Sequence, residues 1–266
     1  MILTDLLKVL YQPHKVFKQI VQNPKYLGAI IVLLIFVAAQ VAFQYAQYSK
    51  VYYEQTSPEI NKLGTWTESA TLWRGNSGIA ITSNYDDFIH NAYYGNGSLQ
   101  FALSNSNNMS IALSGFNQVD CGPTGFQNLS MRIKIVAPQA SPEKVTLTLY
   151  SLSDANYFQY DLTSDFSNSS ANILWNNLTV PVGSGNWQNS GAPQWQNITA
   201  LKFDFAFSAS SNITVRMEGL FFRGVYETPI QTDSTGFLIY VLQLVFPQFL
   251  FEWLILTGLL YIVIKG

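Results

Sequence analysis

Residues 195–222 read WQNITALKFDFAFSASSNITVRMEGLFF, and their pattern is the clearest indication of the fold. Apolar side chains occupy every second position from Leu201 to Phe207, and again from Ile213 to Met217. A period of two places successive side chains on opposite faces of a sheet, so each half predicts a strand with one face in a core. The polar segment SASSN separates the halves. We therefore expect two strands joined by a loop.

The same pattern recurs through the middle of the chain. Short alternating or β-rich runs are separated by clusters of Gly, Asn, Ser and Pro, and no long helical period interrupts them. A series of short strands of this kind predicts a mainly β fold, a two-sheet β-sandwich of jelly-roll type. The predicted strands are Gly78–Thr82, Ser98–Ser104, Met109–Leu113, Leu129–Ala137, Lys144–Ser151, Tyr157–Thr163, Leu178–Val182, Ala200–Phe207 and Ile213–Arg223.

Two long apolar segments flank the β-rich region. Tyr26–Gln47 carries no charge, and Gly236–Ile264 carries only Glu252. At 1.5 Å per residue, each is long enough to cross a hydrocarbon layer of about 30 Å. Pro247 predicts a kink in the second segment. A buried core helix or a cleaved signal peptide is the alternative for the first segment, but its length and the lack of a small-residue cleavage site favour an uncleaved anchor.

The charge distribution predicts the orientation of these segments. Residues 1–25 contain four lysines and one aspartate, a balance of +3, whereas residues 51–234 contain eight basic and fourteen acidic side chains, a balance of −6. Because basic flanks remain in the cytoplasm, we expect a two-pass plasma-membrane protein with both termini inside. The predicted organisation is a cytoplasmic segment 1–25, a membrane helix 26–47, an outer domain 48–235 and a second membrane helix 236–264.

The cytoplasmic segment has its own pattern. Leu6, Leu7 and Leu10 share one helical face before Pro13, and further apolar residues share a face after it, with the lysines largely elsewhere. This pattern predicts an amphipathic helix on the inner membrane surface, in contact with lipid. A helix that binds a partner protein is the alternative.

Polar side chains also occur inside both apolar segments. Gln40 and Gln44 lie one helical turn apart in the first, as do Gln248 and Glu252 in the second. We expect these side chains to form hydrogen bonds between the helices. A functional acid at Glu252 is the alternative, because an acidic group in a membrane often marks a site.

Composition excludes several classes of function. The net charge of −2 provides no basic surface for nucleic acid. The single cysteine, Cys121, cannot form an intrachain disulfide, and we expect it to be a buried thiol. No G-x-S-x-G, H-E-x-x-H or P-loop motif occurs, and we interpret Asp86, Asp87 and His90 as a solvated loop. The sequence therefore predicts a protein that is not an enzyme.

N-x-S/T signals are frequent in the predicted outer domain. None falls in the predicted cytoplasmic or membrane segments, so we expect several to carry glycans, with the two in the opening stretch at strand starts. Many such signals and a single cysteine suit an archaeal-like cell-surface glycoprotein. The acceptors are Asn96, Asn108, Asn128, Asn168, Asn177, Asn197 and Asn212.

Several stretches of the outer domain resemble a known family. They are TWTESATLWRGNSGIAITSNYDDFIHNAYYGNGSLQFALS at 65–104, WNNLTVPV at 175–182, WQNITALKFDF at 195–205 and ITVRMEGLFF at 213–222. Together these resemble the opening and closing strands of galactose-binding-like jelly rolls, a group that includes carbohydrate-binding modules. The resemblance covers roughly residues 63–224. It implies a sandwich fold and a structural Ca²⁺ near the first and last strands, with Glu218 as the candidate ligand where the family usually has Asp.

The N-terminal flank carries a second, fainter resemblance. LYQPHKVFKQIVQNPKYLGAIIVLLIF is similar to the start of Yip1-type membrane domains, and Phe17, Ile20, Asn23 and Pro24 carry the match. Those domains have about five helices, and this chain has two predicted. The resemblance implies either a superficial likeness or a β-domain inserted into a shortened scaffold of that type.

Aromatic side chains are the candidate ligand contacts, because flat rings pack on the apolar faces of sugars. Tyr93, Tyr94, Trp187 and Trp195 lie in predicted loops or strand edges and are the predicted carbohydrate-binding residues. The predicted core anchors are Trp66, Trp73 and Trp175.

Three functions are open at this point. The first is a membrane-anchored surface protein whose jelly-roll domain binds carbohydrate or envelope glycoproteins. The second is a non-catalytic accessory subunit of a larger membrane complex, which the polar faces of the predicted membrane helices favour. The third is an enzyme that acts on envelope polysaccharide.

Overall fold

The computed structural model describes residues 11, 15, 26–91, 93–168, 172–183 and 185–265. It divides into two compact units, one of residues 54–226 and one that combines residues 1–53 with 227–266. Within the predicted amphipathic segment only Tyr11 and Lys15 are described, both as helical. The rest of that segment, including the residues similar to Yip1-type domains, lies outside the described residues.

The elements follow in chain order. The helices are α1 (Tyr26–Tyr48), α2 (Thr65–Glu68), α3 (Pro229–Thr232) and α4 (Ser234–Lys265). The strands are β1 (Tyr53–Ser57), β2 (Trp73–Gly75), β3 (Ala80–Asn84), β4 (Ser98–Val119), β5 (Asn128–Ala137), β6 (Lys144–Ser151), β7 (Ser153–Asp161), β8 (Asn176–Pro181), β9 (Gln188–Ser190) and β10 (Ile198–Glu227). Single 3-10 turns occur at Ile60–Lys62, Ala70–Leu72, Thr163–Phe166 and Trp195–Asn197.

The strands β4 and β10 are long antiparallel partners that run through both layers of the fold. The first part of β4 pairs with the last part of β10, as in Phe101 with Val215. The second part of β4 pairs with the first part of β10, as in Ile111 with Phe203. All four of these side chains are buried in one core. The paired strands must therefore bend so that their two halves face each other.

The bend explains why sequence patterns predict four strands where the structure has two. Polar residues interrupt the alternation in both strands, which predicts loops, but Ser106 still pairs with Ser211 and the ladder continues with register shifts. Asn105 turns the chain with a φ of 53°, a region that Asn tolerates better than most residues. The predicted loops are thus corrected to the bends of two continuous strands.

The pairings define two layers. Sheet I consists of β3, the first part of β4, the last part of β10, β5 and β8. Sheet II consists of β2, the second part of β4, the first part of β10, β6, β7 and β9. Strand β1 also pairs with β10. The predicted β-sandwich is confirmed, and the strands that sequence patterns did not predict are the short ones, β1, β2 and β9.

The space between the sheets is filled by one hydrophobic cluster. Trp66 and Trp73 belong to it as predicted, and the indole Nε1 of Trp73 donates to the carbonyl oxygen of Trp66 at 2.6 Å. Cys121 is buried there, and burial raises the pKa of its thiol above the usual range. The prediction of Trp175 as a core anchor is wrong, because that ring lies on the outward side of sheet I among charged groups.

An ion pair joins the start of β1 to the end of β10. The guanidinium of Arg223 donates from Nε and Nη2 to the two carboxylate oxygens of Glu54, at 2.9 and 3.1 Å. The hydroxyl of Tyr226 lies 3.5 Å from the same carboxylate. A two-point contact of this kind fixes the geometry of both side chains. The first and last strands of the β unit are therefore tied together at the end where the chain enters and leaves.

In the other unit, helices α1 and α4 pack against each other. Phe36 lies 4.8 Å from Phe249 and Tyr48 lies 5.4 Å from Phe237, measured between ring centroids. Helix α4 continues through Pro247. Over Ser234–Leu256 it is the one helix, within the described residues, that is long and apolar enough to cross a membrane, and α1 offers a shorter apolar stretch at Leu33–Tyr48.

The polar residues of these helices do not all behave as the spacing predicts. Gln248 donates from Nε2 to Glu252 Oε1 at 3.0 Å, so this hydrogen bond forms along α4. Both side chains are exposed. Gln40 and Gln44 are partly buried on α1.

The core packing makes a prediction for stability. Phe203 is completely buried between the sheets, so Phe203→Ala should lower the free energy of unfolding by about 3–5 kcal/mol. The exposed bend residue Ser208 offers a control, and Ser208→Ala should change it by less than about 0.5 kcal/mol. Urea unfolding of the full chain in detergent, followed by tryptophan fluorescence, measures both. Equal effects would contradict the assigned core.

Candidate functional site

The outward face of sheet II is built by strict alternation. Phe203 and Phe205 of β10 fill the core, so Lys202 and Asp204 point away from it. Directly paired residues of an antiparallel sheet lie on the same side, which extends this outward set across the neighbouring strands. We call the result the polar face. Its outward side chains are Arg74, Ser110, Ala112, Ser114, Thr146, Thr148, Tyr150, Tyr157, Gln159, Asp161, Ala200, Lys202 and Asp204.

A hydrogen-bonded chain of charged and polar groups lies near the centre of the polar face. Lys202 Nζ is 2.9 Å from Asp204 Oδ2, and Ser110 Oγ donates to Asp204 Oδ1 at 2.6 Å. Burial by itself would lower the pKa of Lys202, but Asp204 and the hydroxyl of Tyr150 outweigh it and raise that pKa above its ordinary value. The centre of the face is therefore an internally neutral ion pair that still presents donors and acceptors.

Two tyrosines stand beside this ion pair. Tyr150 of β6 pairs with Tyr157 of β7, and their rings meet edge to face with centroids 5.9 Å apart. Both side chains are half-buried. Each ring therefore contacts its neighbour and keeps part of its surface in solvent, where a ligand can pack against it.

The floor of the polar face contains an unusual hydroxyl. Thr148 is only 2% exposed, between Lys202 on β10 and Gln159 on β7. Its Oγ1 has no hydrogen-bond partner within the described residues. An unpaired buried hydroxyl costs about 1–3 kcal/mol. This oxygen is closed to solvent, so a ligand hydroxyl reaches it only if a neighbouring side chain moves.

The outward face of sheet I differs because a loop covers it. Asp87, in the loop between β3 and β4, accepts hydrogen bonds from Lys134 Nζ at 2.7 Å, Arg216 Nη1 at 2.8 Å and Trp175 Nε1 at 2.8 Å. Burial opposes ionisation of Asp87, but these donors outweigh it and lower the pKa to about 2. The prediction of Asp87 as a solvated loop acid is therefore corrected. It anchors the loop to the sheet.

Glu218 forms the second anchor of this loop. Its side chain is completely buried, its Oε1 accepts from the backbone N–H of Ile89 at 2.7 Å, and its Oε2 lies 3.4 Å from Arg132 Nη1. Burial raises the pKa of Glu218 to about 7, although Ile89 and Arg132 act in the opposite direction. Arg132 in turn lies over the ring of Trp175 at 4.9 Å. We call Asp87, Glu218 and their partners the loop clamp.

The contacts of Glu218 bear on the implied calcium ion. One oxygen already accepts a backbone N–H, and the other faces a guanidinium that would repel a cation. Within the described ranges, no three His, Cys, Asp or Glu side chains gather as metal ligands. Ca²⁺ takes six to eight oxygen ligands, so the surroundings of Glu218 do not fit it. The calcium site stays a prediction from the sequence resemblance alone.

The predicted carbohydrate-binding residues lie in two places away from the polar face. Trp195 stacks on Phe158 at 3.7 Å and meets Trp187 at 5.4 Å, and both indoles pack against the core. Tyr94 packs against Phe221 in the loop region, and Tyr93 beside it is exposed. The structure therefore brings the two tryptophans together but does not join them to the tyrosines.

Tyr150 and Tyr157 are the aromatic residues that sequence reasoning missed. The sequence does indicate that Tyr150 points outward, because the buried residues Val145, Leu147 and Leu149 occupy the odd-numbered positions of the strand and Tyr150 occupies an even-numbered one. Its pairing with Tyr157 depends on the register between β6 and β7, which cannot be read from the sequence.

The glycan acceptors are spread over the β unit. Asn96, Asn108, Asn168, Asn177 and Asn212 are exposed. Asn197 precedes β10 as predicted, and its amide is engaged, donating to Gln194 Oε1 at 2.6 Å. The prediction that Asn212 lies at a strand start is wrong, since it falls at the bend inside β10.

No protein-family model and no curated protein matches the chain. Among solved structures, the family 30 carbohydrate-binding module of a cellulosomal cellulase of Clostridium thermocellum has a TM-score of 0.44 and 11% identity, covering 66% of this chain and 98% of that one. A family 11 module from the same organism has a TM-score of 0.37 and 13% identity, covering 56% and 85%. A β-1,2-glucanase from Parabacteroides distasonis has a TM-score of 0.40 and 12% identity, covering 61% and 24%. At these scores and identities, the ligands of those proteins are not assigned to this chain.

The loop clamp predicts a pH dependence of stability. The pKa of Glu218 is about 7 in the folded chain against 4.5 for an unperturbed carboxyl, so its contribution is fully present below pH 4.5 and is lost as pH rises through 7. We expect the β unit to lose about 1–3 kcal/mol of unfolding free energy between pH 4.5 and 8.

Glu218→Gln should remove most of this slope, because glutamine does not titrate. Glu143→Gln, at an exposed position, should leave it unchanged. Urea unfolding at several pH values measures both variants. An unaltered slope in Glu218→Gln would assign the titration to another group.

Proposed function

We propose that the β unit binds carbohydrate through the polar face. The observation that carries the proposal is the outward pair Tyr150 and Tyr157 beside the Lys202–Asp204 ion pair, on the sheet face opposite the one that the loop between β3 and β4 covers. A pyranose presents an apolar C–H face and a rim of hydroxyls, and it needs a ring and hydrogen-bonding groups within reach of each other.

Each group of the polar face has a role in this proposal. The tyrosine rings pack on the C–H faces of the sugar. Lys202 Nζ donates to ligand oxygens and Asp204 accepts from ligand hydroxyls, while the amide of Gln159 does both. The ligand therefore completes hydrogen bonds and stacks on rings in one step.

The charge of the face favours an uncharged glycan. The two basic groups of the face, Arg74 and Lys202, are matched in number by the two acidic groups, Asp204 and Asp161, so an acidic sugar would meet carboxylates as well as cations. Asp204 is also an unsuitable catalytic acid, because its two oxygens are engaged by Lys202 and Ser110. A glycosidase needs a second carboxylate in a cleft with the first, and Asp161, the other carboxylate of this face, accepts a hydrogen bond from the backbone N–H of Thr163 at 2.8 Å. We therefore propose binding without hydrolysis.

We propose further that the protein is anchored in the plasma membrane, with the β unit outside. The length and apolar composition of α4 support a membrane span, and the lysines of residues 1–25 support a cytoplasmic N-terminus. Exposed Tyr45, Tyr52 and Tyr240 near the helix ends suit the headgroup layer, where tyrosines are enriched. The second span by α1 belongs to this proposal.

Glycan-array binding by the full-length chain in detergent micelles tests the proposal. Saturable binding to an uncharged glycan is expected, and Tyr150→Ala or Tyr157→Ala should weaken it by about tenfold or more, because stacking on each ring is lost. Tyr93→Ala is the matched control on the loop over sheet I and should bind like the parent chain. Loss of binding in Tyr93→Ala or Trp187→Ala, with Tyr157→Ala unaffected, would move the site to those rings.

A second candidate function is supported by α4. The hydrogen-bonded pair Gln248 and Glu252 is exposed on a helix that is otherwise apolar, and such groups in a membrane usually face protein. A role as an accessory subunit would place a partner helix there.

Site-specific photocrosslinking in native membranes tests this second candidate. A crosslinker at Gln248 should give one discrete protein adduct, and one at the exposed Leu238 should give none. Lipid adducts alone at both positions would contradict the accessory role.

A further inference from the structure

Asn108 stands at the end of the polar face. It pairs with Ala206 on β10, two residues before Ser110 on the same strand. Met109 between them is buried in the core. Alternation therefore directs the Asn108 side chain to the same side as Ser110 and Asp204, at about 7 Å from that row along the strand.

Hydrogen bonds fix the backbone from which this side chain projects. The carbonyl oxygen of Asn108 accepts from Ser106 Oγ at 2.7 Å and from Asn76 Nδ2 at 3.4 Å. Asn76 also accepts from the backbone N–H of Ser110 through Oδ1 at 3.1 Å. The strand geometry thus sets the direction of the Asn108 side chain, and the hydrogen bonds of Asn76 stabilise the backbone around it.

The side-chain amide of Asn108 is accessible. It is exposed, and within the described residues it is not held in a hydrogen bond of the kind that Asn197 makes with Gln194. Asn108 opens the acceptor signal Asn108-Met109-Ser110. The signal therefore ends in Ser110, the residue whose hydroxyl donates to Asp204 on the polar face.

The other acceptors lie in different surroundings. Asn177 pairs with Arg132 on the outward side of sheet I, beside the loop clamp. Asn212 lies at the bend, next to Asn105. Among the acceptors in the described strands, Asn108 is the one paired into the outward rows of sheet II.

We propose that Asn108 is N-glycosylated and that its own glycan occupies the polar face, so that this modification regulates ligand binding. The inference rests on the proposed function. In the modification, a bond forms between Asn108 Nδ2 and the anomeric carbon of an oligosaccharide carried by a lipid phosphate. The bond from that carbon to the phosphate oxygen breaks, and the lipid phosphate leaves with the electron pair while one amide proton is released.

Covalent attachment to Asn108 favours binding of the glycan to the polar face of the same chain. Asn108 pairs with Ala206 and Tyr150 pairs with Ala200, so the tyrosine pair lies about 20 Å further along the strands. An attached oligosaccharide long enough to span this distance reaches an effective concentration in about the millimolar range there. Even if the polar face has only weak affinity for the attached glycan, that glycan would therefore occupy the face in most molecules. An external glycan must displace it, which weakens the apparent affinity for that glycan.

The test uses the full-length chain produced in a host that performs N-glycosylation. Glycopeptide mass spectrometry should find a glycan on Asn108. The variant Asn108→Gln should bind the external glycan about tenfold or more tightly than the glycosylated parent chain. The matched control Asn177→Gln removes an acceptor on the other sheet and should bind like the parent. Enzymatic deglycosylation of the folded parent chain should reproduce the gain without a substitution.

The possible failures are distinguishable. An unmodified Asn108 overturns the inference. So does a modified Asn108 whose removal, by substitution and by deglycosylation, leaves affinity unchanged, and in that case the proposed carbohydrate binding survives. If neither the glycosylated nor the deglycosylated chain binds any glycan, the proposed function fails and the inference fails with it.

Discussion

The β unit depends on one constraint, the pairing of β4 with residues 198–217 of β10 through a common bend. Each strand contributes apolar residues to both layers, for example Phe101 and Ile111 from β4. Neither sheet can form without the other, because the same two strands lie at the centre of both. The hydrophobic core and the two outward faces are consequences of where this pair bends.

From this centre the two outward faces differ in what lies over them. On sheet I, Asp87 and Glu218 hold the loop between β3 and β4 against the sheet, with Lys134 and Arg132 as their basic partners. On sheet II the corresponding positions hold small and polar side chains around the Lys202–Asp204 pair. Each face has a buried polar atom that lacks a hydrogen-bond partner within the described residues, Arg132 Nε on sheet I and Thr148 Oγ1 on sheet II.

Local patterns predicted the strands well where alternation is uninterrupted. The bounds of β6 at Lys144–Ser151 agree with the prediction, because apolar residues recur at every second position there. The bends of β4 and β10 were not predicted, since polar residues such as Ser106 resemble a loop until the pairing with Ser211 is known. The sequence could not show the loop clamp either, because it joins Asp87 to Arg216 across 129 residues.

The aromatic residues show the same limit. Composition identified a surplus of rings, and sequence position suggested exposure for Trp187 and Trp195, but both pack against the core through each other and Phe158. The alternation along β6 identifies Tyr150 as a residue that points outward. Its neighbour Tyr157 is identified only when the register between β6 and β7 is known. A single sequence fixes the side of a strand on which a residue lies, and pairing decides its neighbours.

The ion pair between Glu54 and Arg223 has a mechanical consequence. The chain enters the β unit at β1 and leaves it at the end of β10, and this pair joins those two strands at that end. A tension applied through both connections would act on this end of the β unit and would open the contacts between β1 and β10 one after another. Peeling of this kind yields at a lower force than sliding whole strands past each other. The Glu54–Arg223 ion pair therefore adds resistance at the end of the β unit where such a rupture would begin.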